Sequence, residues 1–556
     1  MFWGTGPGPS VLSGRMHSPI RVPRCAGRGA VLFSVLAVTS AVTFGCKGSA
    51  EPDPDPDAGL NVDAGPNVDT ITVQGTATYD YVPVTTTPAV TLAFADASAR
   101  PVRGAIVQVR RGAVVIATTN TDEQGQYMLE FQAAPEGLEV AVLSETTLPP
   151  IRVEDNTNGD AVWGMVRPLA EAENGTLDLH ATHGWNGTSF DAGTRVAAPF
   201  AILDTIYATA QAFRAVRTVT FQPLKVNWSP DNVPEAGDHA NGFIGTSSFR
   251  RADREIYVLG KDGVDTDEFD AGVLAHEWTH YFEDQLGRVD GLGGDHAPGA
   301  VLDPRLSFDE GLADAMAGLT LGVPVYADTA WAGSTLTGFS LDVETPPTPT
   351  DDTTPGPFSE FSVMRIVYDL FDSGASEAHD TVALGLGPLY DALAGPHRTT
   401  DALGTIGSFI AGLKAQPGVN AADVDTLLAF YDIGPITSDF GAGDPDLAAM
   451  YTNVTVPFTG THDLVGGQDA NRRAQNQYFV FMGTGATLTV SAGHASEDVG
   501  ISLYRTGQLV ASADAWLDGG TESLSAPTVS GATYVLTLTG FRGAPGSYTV
   551  DLTIAP

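Results

Sequence analysis

The sequence predicts a multidomain chain in which an N-terminal β-sandwich and a C-terminal antiparallel β-sandwich flank a central α+β domain. Three observations carry that expectation. Apolar and polar residues alternate with period two, in short runs broken by turn residues, from about Ile71 to Val166 and again from Val456 to Pro556. Between about Thr182 and Val454 the apolar spacing is helical instead. A length of 556 residues also exceeds what one hydrophobic core organises.

Residues 1–46 read as a secretion signal. Arg15, Arg21, Arg24 and Arg28 stand among no acidic residue, ahead of an apolar and small run from Ala30 to Gly45 that is too short for an ordinary membrane span. Met16 is an alternative start that brings the arginines nearer the front. The run ends in Thr43-Phe44-Gly45-Cys46, which resembles a bacterial lipoprotein box with glycine before the lipidated cysteine. That resemblance implies membrane attachment through Cys46, at the cell envelope or outer surface; without lipidation the protein is expected to be secreted. Residues 47–70, built on Glu51-Pro52-Asp53-Pro54-Asp55-Pro56-Asp57, hold almost nothing to bury and read as a disordered tether. Proline between the aspartates rules out the loop geometry of an EF-hand there.

The span 71–166 is the first expected sandwich. Its clearest strands are Pro101 to Val109 and TTNTDEQGQYMLEF, with a turn over Asp122 to Gly125. The pattern resembles the transthyretin-like regulatory domain found beside carboxypeptidases, which implies an accessory or spacer role. A propeptide role for the same span stays open.

The central span, 182–454, opens with an amphipathic helix expected over Ala197 to Val216, then strands at Leu224–Trp228 and Arg254–Leu259. The second strand runs toward AGVLAHEWTHYFEDQLG and is expected to pair with a peptide by strand addition. His276 and His280 stand at i and i+4, so both imidazoles leave one helix face and can share a metal. Glu277 lies beside them, placed to take a proton from a metal-bound water. Asp265 and Glu268 have capping-box spacing for that helix, and Phe269, Val273, Leu274, Trp278, Phe282 and Leu286 make it apolar on most sides. Histidines buried in such a helix need partners, which a metal supplies.

Catalytic zinc takes three protein ligands and an open position. Glu283 and Leu286 stand where HExxHxxGxxH requires glycine and histidine, so the third ligand must lie further on. Ser307 to Gly318 is helical in pattern and carries Glu310 and Asp314 at i and i+4, one carboxylate for the metal and one to bond a ligating imidazole. His296, in a glycine-rich loop, is the rival ligand. Tyr368, His296 and His379 are the candidate donors to a developing oxyanion. At these residues the chain resembles the gluzincins, the thermolysin-like clan with HExxH plus a downstream glutamate. The resemblance implies a zincin-type domain with Zn2+ held by His276, His280 and Glu310, Glu277 as base and Asp314 behind a histidine. The loop between the two motifs is longer than in thermolysin itself. A proline- and threonine-rich loop, Glu344 to Pro357, is expected near the cleft, with helices at 359–371 and 421–431.

The span 456–556 contains Tyr478-Phe479-Val480-Phe481, GATLTVSAG, a segment from Asp498 to Tyr504, GATYVLTLTGFRG and GSYTVDLTI. Their order resembles the bacterial prepeptidase C-terminal domain, which accompanies secreted peptidases. Only Cys25 and Cys46 occur, so no disulfide or thiolate site is expected beyond the leader. The net charge of −39 becomes −43 once the leader's arginines are set aside, which excludes nucleic acid as a partner. Together the resemblances imply an exported zinc endopeptidase acting on protein or peptide substrates. The competing readings are a surface adhesion protein on a peptidase scaffold and an aminopeptidase of the same clan, whose usual exopeptidase motif is not evident.

Overall fold

The computed structural model describes residues 70–556, except 192, 295, 297–298, 346–351, 373, 375–376, 467–470, 517–518 and 542–545. The expected leader at 1–46, with Cys46, and all but the last residue of the expected tether at 47–70 lie outside the described residues. The architecture is mixed α and β with several sheets.

The alternating runs of the N-terminal region form β1 (Thr70–Tyr81), β2 (Ala105–Arg111), β3 (Val114–Asn120), β4 (Gln126–Gln132), β5 (Glu139–Thr147) and β6 (Pro150–Asp155). In β4 the alternation is complete: Tyr127, Leu129 and Phe131 are buried and their neighbours exposed, as one covered sheet face requires. One sheet of this region does not end within it. β6 pairs in parallel with β7 (Leu224–Trp228), β7 in parallel with β9 (Glu255–Val258), and β8 (Ser248–Arg250) lies antiparallel on the outer edge of β9. A nine-stranded sheet, ordered β8-β9-β7-β6-β5-β2-β3 on its main path, therefore runs from 71–166 into 182–454, and one hydrophobic core underlies both spans. The strand expected to receive a peptide, within 254–259, has both edges paired; the edge strand is β8.

Helix α1 (Ala197–Val216) occupies the limits its periodicity predicts. It faces β1 and its neighbours through Asp204, which accepts from Tyr79 Oη at 2.8 Å and Arg103 Nε at 2.6 Å. It also packs on α2 (Ala271–Gln285), where Phe213 stacks on Phe282 at 4.6 Å and lies 5.5 Å from Trp278. Fully burying each such ring contributes about 2–3 kcal/mol, which is why α2 is apolar on most sides. The spacing of Asp265 and Glu268 does not make a capping box. α2 starts only at Ala271, and Glu268 is instead buried against Arg195 and accepts from Trp228 Nε1 at 3.2 Å.

Helix α3 (Pro304–Leu321) has Asp303 as its N-cap, proline in the first turn, and Gly322 at φ 69° to end it. A hairpin that periodicity does not reveal follows, β10 (Val325–Ala332) and β11 (Thr335–Asp342). Helix α4 (Glu360–Phe371) then packs on α3. The close approach depends on Gly311, where a Cβ would stand 2.6 Å from Glu360 O and 2.8 Å from Val363 Cβ.

The C-terminal strands form two antiparallel-dominated sheets, of five and four strands, over a core of their own. The strand Asn476–Met482, β12, meets the start of α3. Asp303 accepts from Asn476 Nδ2 at 2.8 Å, Arg305 Nε at 2.9 Å and the hydroxyl of Tyr478. Arg305 is 1% exposed, with its guanidinium 5.0 Å from the Tyr478 ring centroid.

Candidate metal centre

α2 and α3 meet face to face, and their meeting brings the predicted residues together. His276 Nε2 lies 3.1 Å from His280 Nε2 and 3.2 Å from Glu310 Oε2, and His280 Nε2 lies 3.3 Å from the same oxygen. The other nitrogen of each ring is committed: His276 Nδ1 is 2.8 Å from Asp314 Oδ1, and His280 Nδ1 is 3.2 Å from Glu283 Oε2. Nδ1–H donation to these carboxylates leaves the Nε2 lone pairs of two neutral rings facing each other and a carboxylate oxygen. With both rings in that neutral form, three electron-pair donors converge. A tetrahedral ion with bonds of about 2.0–2.1 Å has ligand-to-ligand edges of about 3.3 Å, so the donor set fits a zinc-sized ion.

The electrostatics agree with a site built for a cation. Burial works against the His276 imidazolium, but hydrogen bonds to Asp314 and Glu310 outweigh it and bring its pKa up to about 10. His280 is raised in the same way, burial again being overcome, here by the charge of Glu310 and the bond to Glu283. Burial pushes Glu310 up, yet the two histidines pull it well below the usual carboxylate range. A metal takes the place of the protons such a cluster holds. Glu277 lies within the electrostatic reach of His276, His280 and Glu310 and accepts from Phe249 N of edge strand β8 at 2.6 Å, and desolvation raises its pKa.

His296, Tyr368 and His379 fall in different places. His296 is not among the mutually close donor atoms of His276, His280 and Glu310. It stands beside them, Nε2 3.5 Å from Glu310 Oε2, with Nδ1 2.9 Å from Glu360 Oε2 at the start of α4. Tyr368 is buried near the far end of α4 against Phe371, and His379 stacks on Phe430 with ring centroids 3.7 Å apart. Neither belongs to the cluster. Sequence reasoning missed Glu283 and Glu360. The first had a local signal, a carboxylate three residues after His280; the second is 64 positions from His296 and had none.

Two further groups of the described residues could hold a metal ion: Asp265, Asp267 and Asp328 near the start of α2, and Asp369, Glu377 and His379 beyond α4. Among the described residues no helix is long and apolar enough to cross a membrane.

No family model matches the chain, and no curated protein matches it. Among solved structures, the pre-peptidase C-terminal domain of a collagenase from Bacillus anthracis aligns with 14% identity, covering 19% of this chain and 93% of that one, at a TM-score of 0.15. PliG of Aeromonas hydrophila, a periplasmic inhibitor of g-type lysozyme, aligns with 12% identity over 19% of this chain and 96% of its own, at a TM-score of 0.14. The first bears the name of the domain type that the strand order at 456–556 resembles. At these scores neither likeness carries an argument about the fold or function of the whole chain.

Proposed function

We propose that this chain is an exported zinc metallopeptidase that cleaves internal peptide bonds of protein substrates. The observation that carries the reading is the convergence of His276 Nε2, His280 Nε2 and Glu310 Oε2, with edges of 3.1, 3.2 and 3.3 Å, beside the carboxylate of Glu277. Zinc held by His276, His280 and Glu310 would supply a Lewis acid that makes hydroxide available near neutral pH. Glu277 would serve as the base at the reacting centre and then as proton donor to the leaving amine; its desolvated setting raises its affinity for the proton it must carry. Asp314 and Glu283 fix the orientation of the two rings. An extended substrate pairs with β8 at the sheet edge. His296, oriented by Glu360, donates from Nε2 to the carbonyl oxygen as charge develops on it. In the same reading Cys46 is lipidated, which fatty-acid labelling of the wild type against Cys46→Ser tests directly.

The purified mature chain should hold one zinc and cleave a generic unfolded protein. Glu277→Gln should keep the zinc and lose cleavage by orders of magnitude, whereas Glu310→Ala should lose the zinc. Unchanged cleavage by Glu277→Gln sinks the mechanism. Zinc kept in Glu310→Ala but lost in His296→Ala reassigns the third ligand. Products shortened stepwise from the amino end would make the enzyme an aminopeptidase, and a zinc-loaded wild type without hydrolysis would make it a binding protein.

A further inference from the structure

Beyond the C-terminal end of α4, away from the His276–His280–Glu310 cluster, a second set of side chains closes around a small volume. His379 Nε2 lies 3.4 Å from Asp369 Oδ2 and 3.5 Å from Glu377 Oε2, and these three residues offer donor atoms all within 4.8 Å of one another. Asp369 is 1% exposed and the Glu377 side chain 8%. Distances of 3.4 and 3.5 Å are long for hydrogen bonds but match the spacing of atoms that share an ion. Asp372 and Asp380 stand at the same corner.

Asp369 Oδ2 accepts from Tyr431 Oη at 2.8 Å, but other buried carboxylate oxygens here lack a hydrogen-bond donor. Asp380 is 5% exposed; its Oδ1 accepts from Val382 N at 2.9 Å, but its Oδ2 has no partner, and neither do Asp372 Oδ1 and Glu377 Oε2. Asp380 Oδ2 is turned into the loop: a Cβ on Gly374, which has φ +45°, would lie 2.1 Å from it. A buried, unpaired carboxylate oxygen is costly unless a proton or a cation meets it. The neighbouring charges add to this: burial, against the hydrogen bond from Tyr431 and helped by Asp380, Glu377 and Asp372, raises Asp369 to a pKa of about 8. Glu344 is raised to about 7, by burial and then by Asp372, Glu377 and Asp380. Arg365, whose charge favours the ionised form of Glu377, gives Nε to Thr345 O at 2.8 Å.

We propose that this corner is a divalent-cation site, with Asp369 and Glu377 as ligands, the otherwise unpartnered Glu377 Oε2 facing His379 Nε2, which is able to complete the set. The carbonyl end of α4 faces the same corner, and a helix C-terminus favours positive charge. Carboxylate oxygens alone suit calcium, whereas a set that includes the imidazole suits manganese or zinc. The ion would tie the segment after α4 to the helix whose opposite end carries Glu360.

The test compares the thermal unfolding midpoint of the full mature chain with that of Asp369→Asn/Glu377→Gln, first in excess chelator and then with calcium alone or manganese alone. Both proteins keep the His276 cluster, so its contribution cancels. At an ion concentration about a hundredfold above Kd the wild type should gain roughly 5 °C more than the variant. In chelator the variant should melt above the wild type, since two mutually repelling carboxylates are gone. Asp380→Asn provides a second, milder variant, and equilibrium dialysis should count one ion fewer in the double variant. A gain from calcium that survives His379→Gln assigns an oxygen-only site, and a gain from manganese lost with His379→Gln assigns the imidazole. If both proteins respond alike to both ions, and dialysis counts the same number, the site does not exist.

Discussion

Asp303 is the position where one substitution should reach furthest. Its carboxylate caps α3, pairs with Arg305 at 2.9 Å and receives Asn476 Nδ2 at 2.8 Å together with the Tyr478 hydroxyl. Asp303→Ala removes the cap, about 1 kcal/mol, and leaves Arg305, 1% exposed, as a buried charge without its carboxylate, about 3–5 kcal/mol. The sum, about 5 kcal/mol, is a large share of the 5–15 kcal/mol typical of a domain. Urea unfolding followed by tryptophan fluorescence reads it as a fall in midpoint, and zinc affinity measured on the same protein should fall too, because α3 carries Glu310. Asp303→Leu/Arg305→Met should recover most of the stability, since replacing both members of a buried pair costs far less than orphaning one. A loss below about 1 kcal/mol for Asp303→Ala, or a double variant no more stable than the single, refutes the account.

Asp314→Asn and Glu283→Gln should each weaken zinc binding or turnover about ten- to hundredfold, read by competition with a chromogenic chelator, because each holds one imidazole of the proposed zinc site. Gly311→Ala should push α4 away, costing about 1–3 kcal/mol in thermal unfolding and lowering turnover while zinc content holds, since the added Cβ would meet Glu360 O at 2.6 Å. His397 is buried and held neutral by desolvation and then by Arg288, its pKa lowered from 6.5 to about 3. The unfolded chain takes up that proton first, so its contribution is present above pH 6.5 and drains as the pH falls toward about 3. His397→Phe, packed between Phe308 and Phe409, should flatten stability against pH across that window; an unchanged slope counts against it.

What was legible in the sequence followed from interactions close along the chain. α1 appears at its expected limits because a long periodic run outweighs any one residue, and Glu310 and Asp314 were found because i and i+4 share a helix face. Glu283 was passed over because it sat where a different motif needed glycine, although its spacing from His280 was the useful signal. The capping-box reading failed because Glu268 is claimed by Arg195, 73 positions earlier, a partner no window contains. His296 was ambiguous for the same reason: only the docking of α4 supplies Glu360 and separates a residue beside the cluster from one within it.

The pairing of β6 with β7 bears on maturation. A cut in the segment between 166 and 182 would sever the chain but not the sheet, since four register pairs, Leu224 with Ile151 through Asn227 with Glu154, hold the two sides together. The released piece would behave as one half of a split protein, leaving only with denaturant. Stripping it away would bare a parallel strand edge, with its row of unsatisfied amides, on β7. Removal of 71–166 as a detachable propeptide would thus leave a sticky, self-associating remnant.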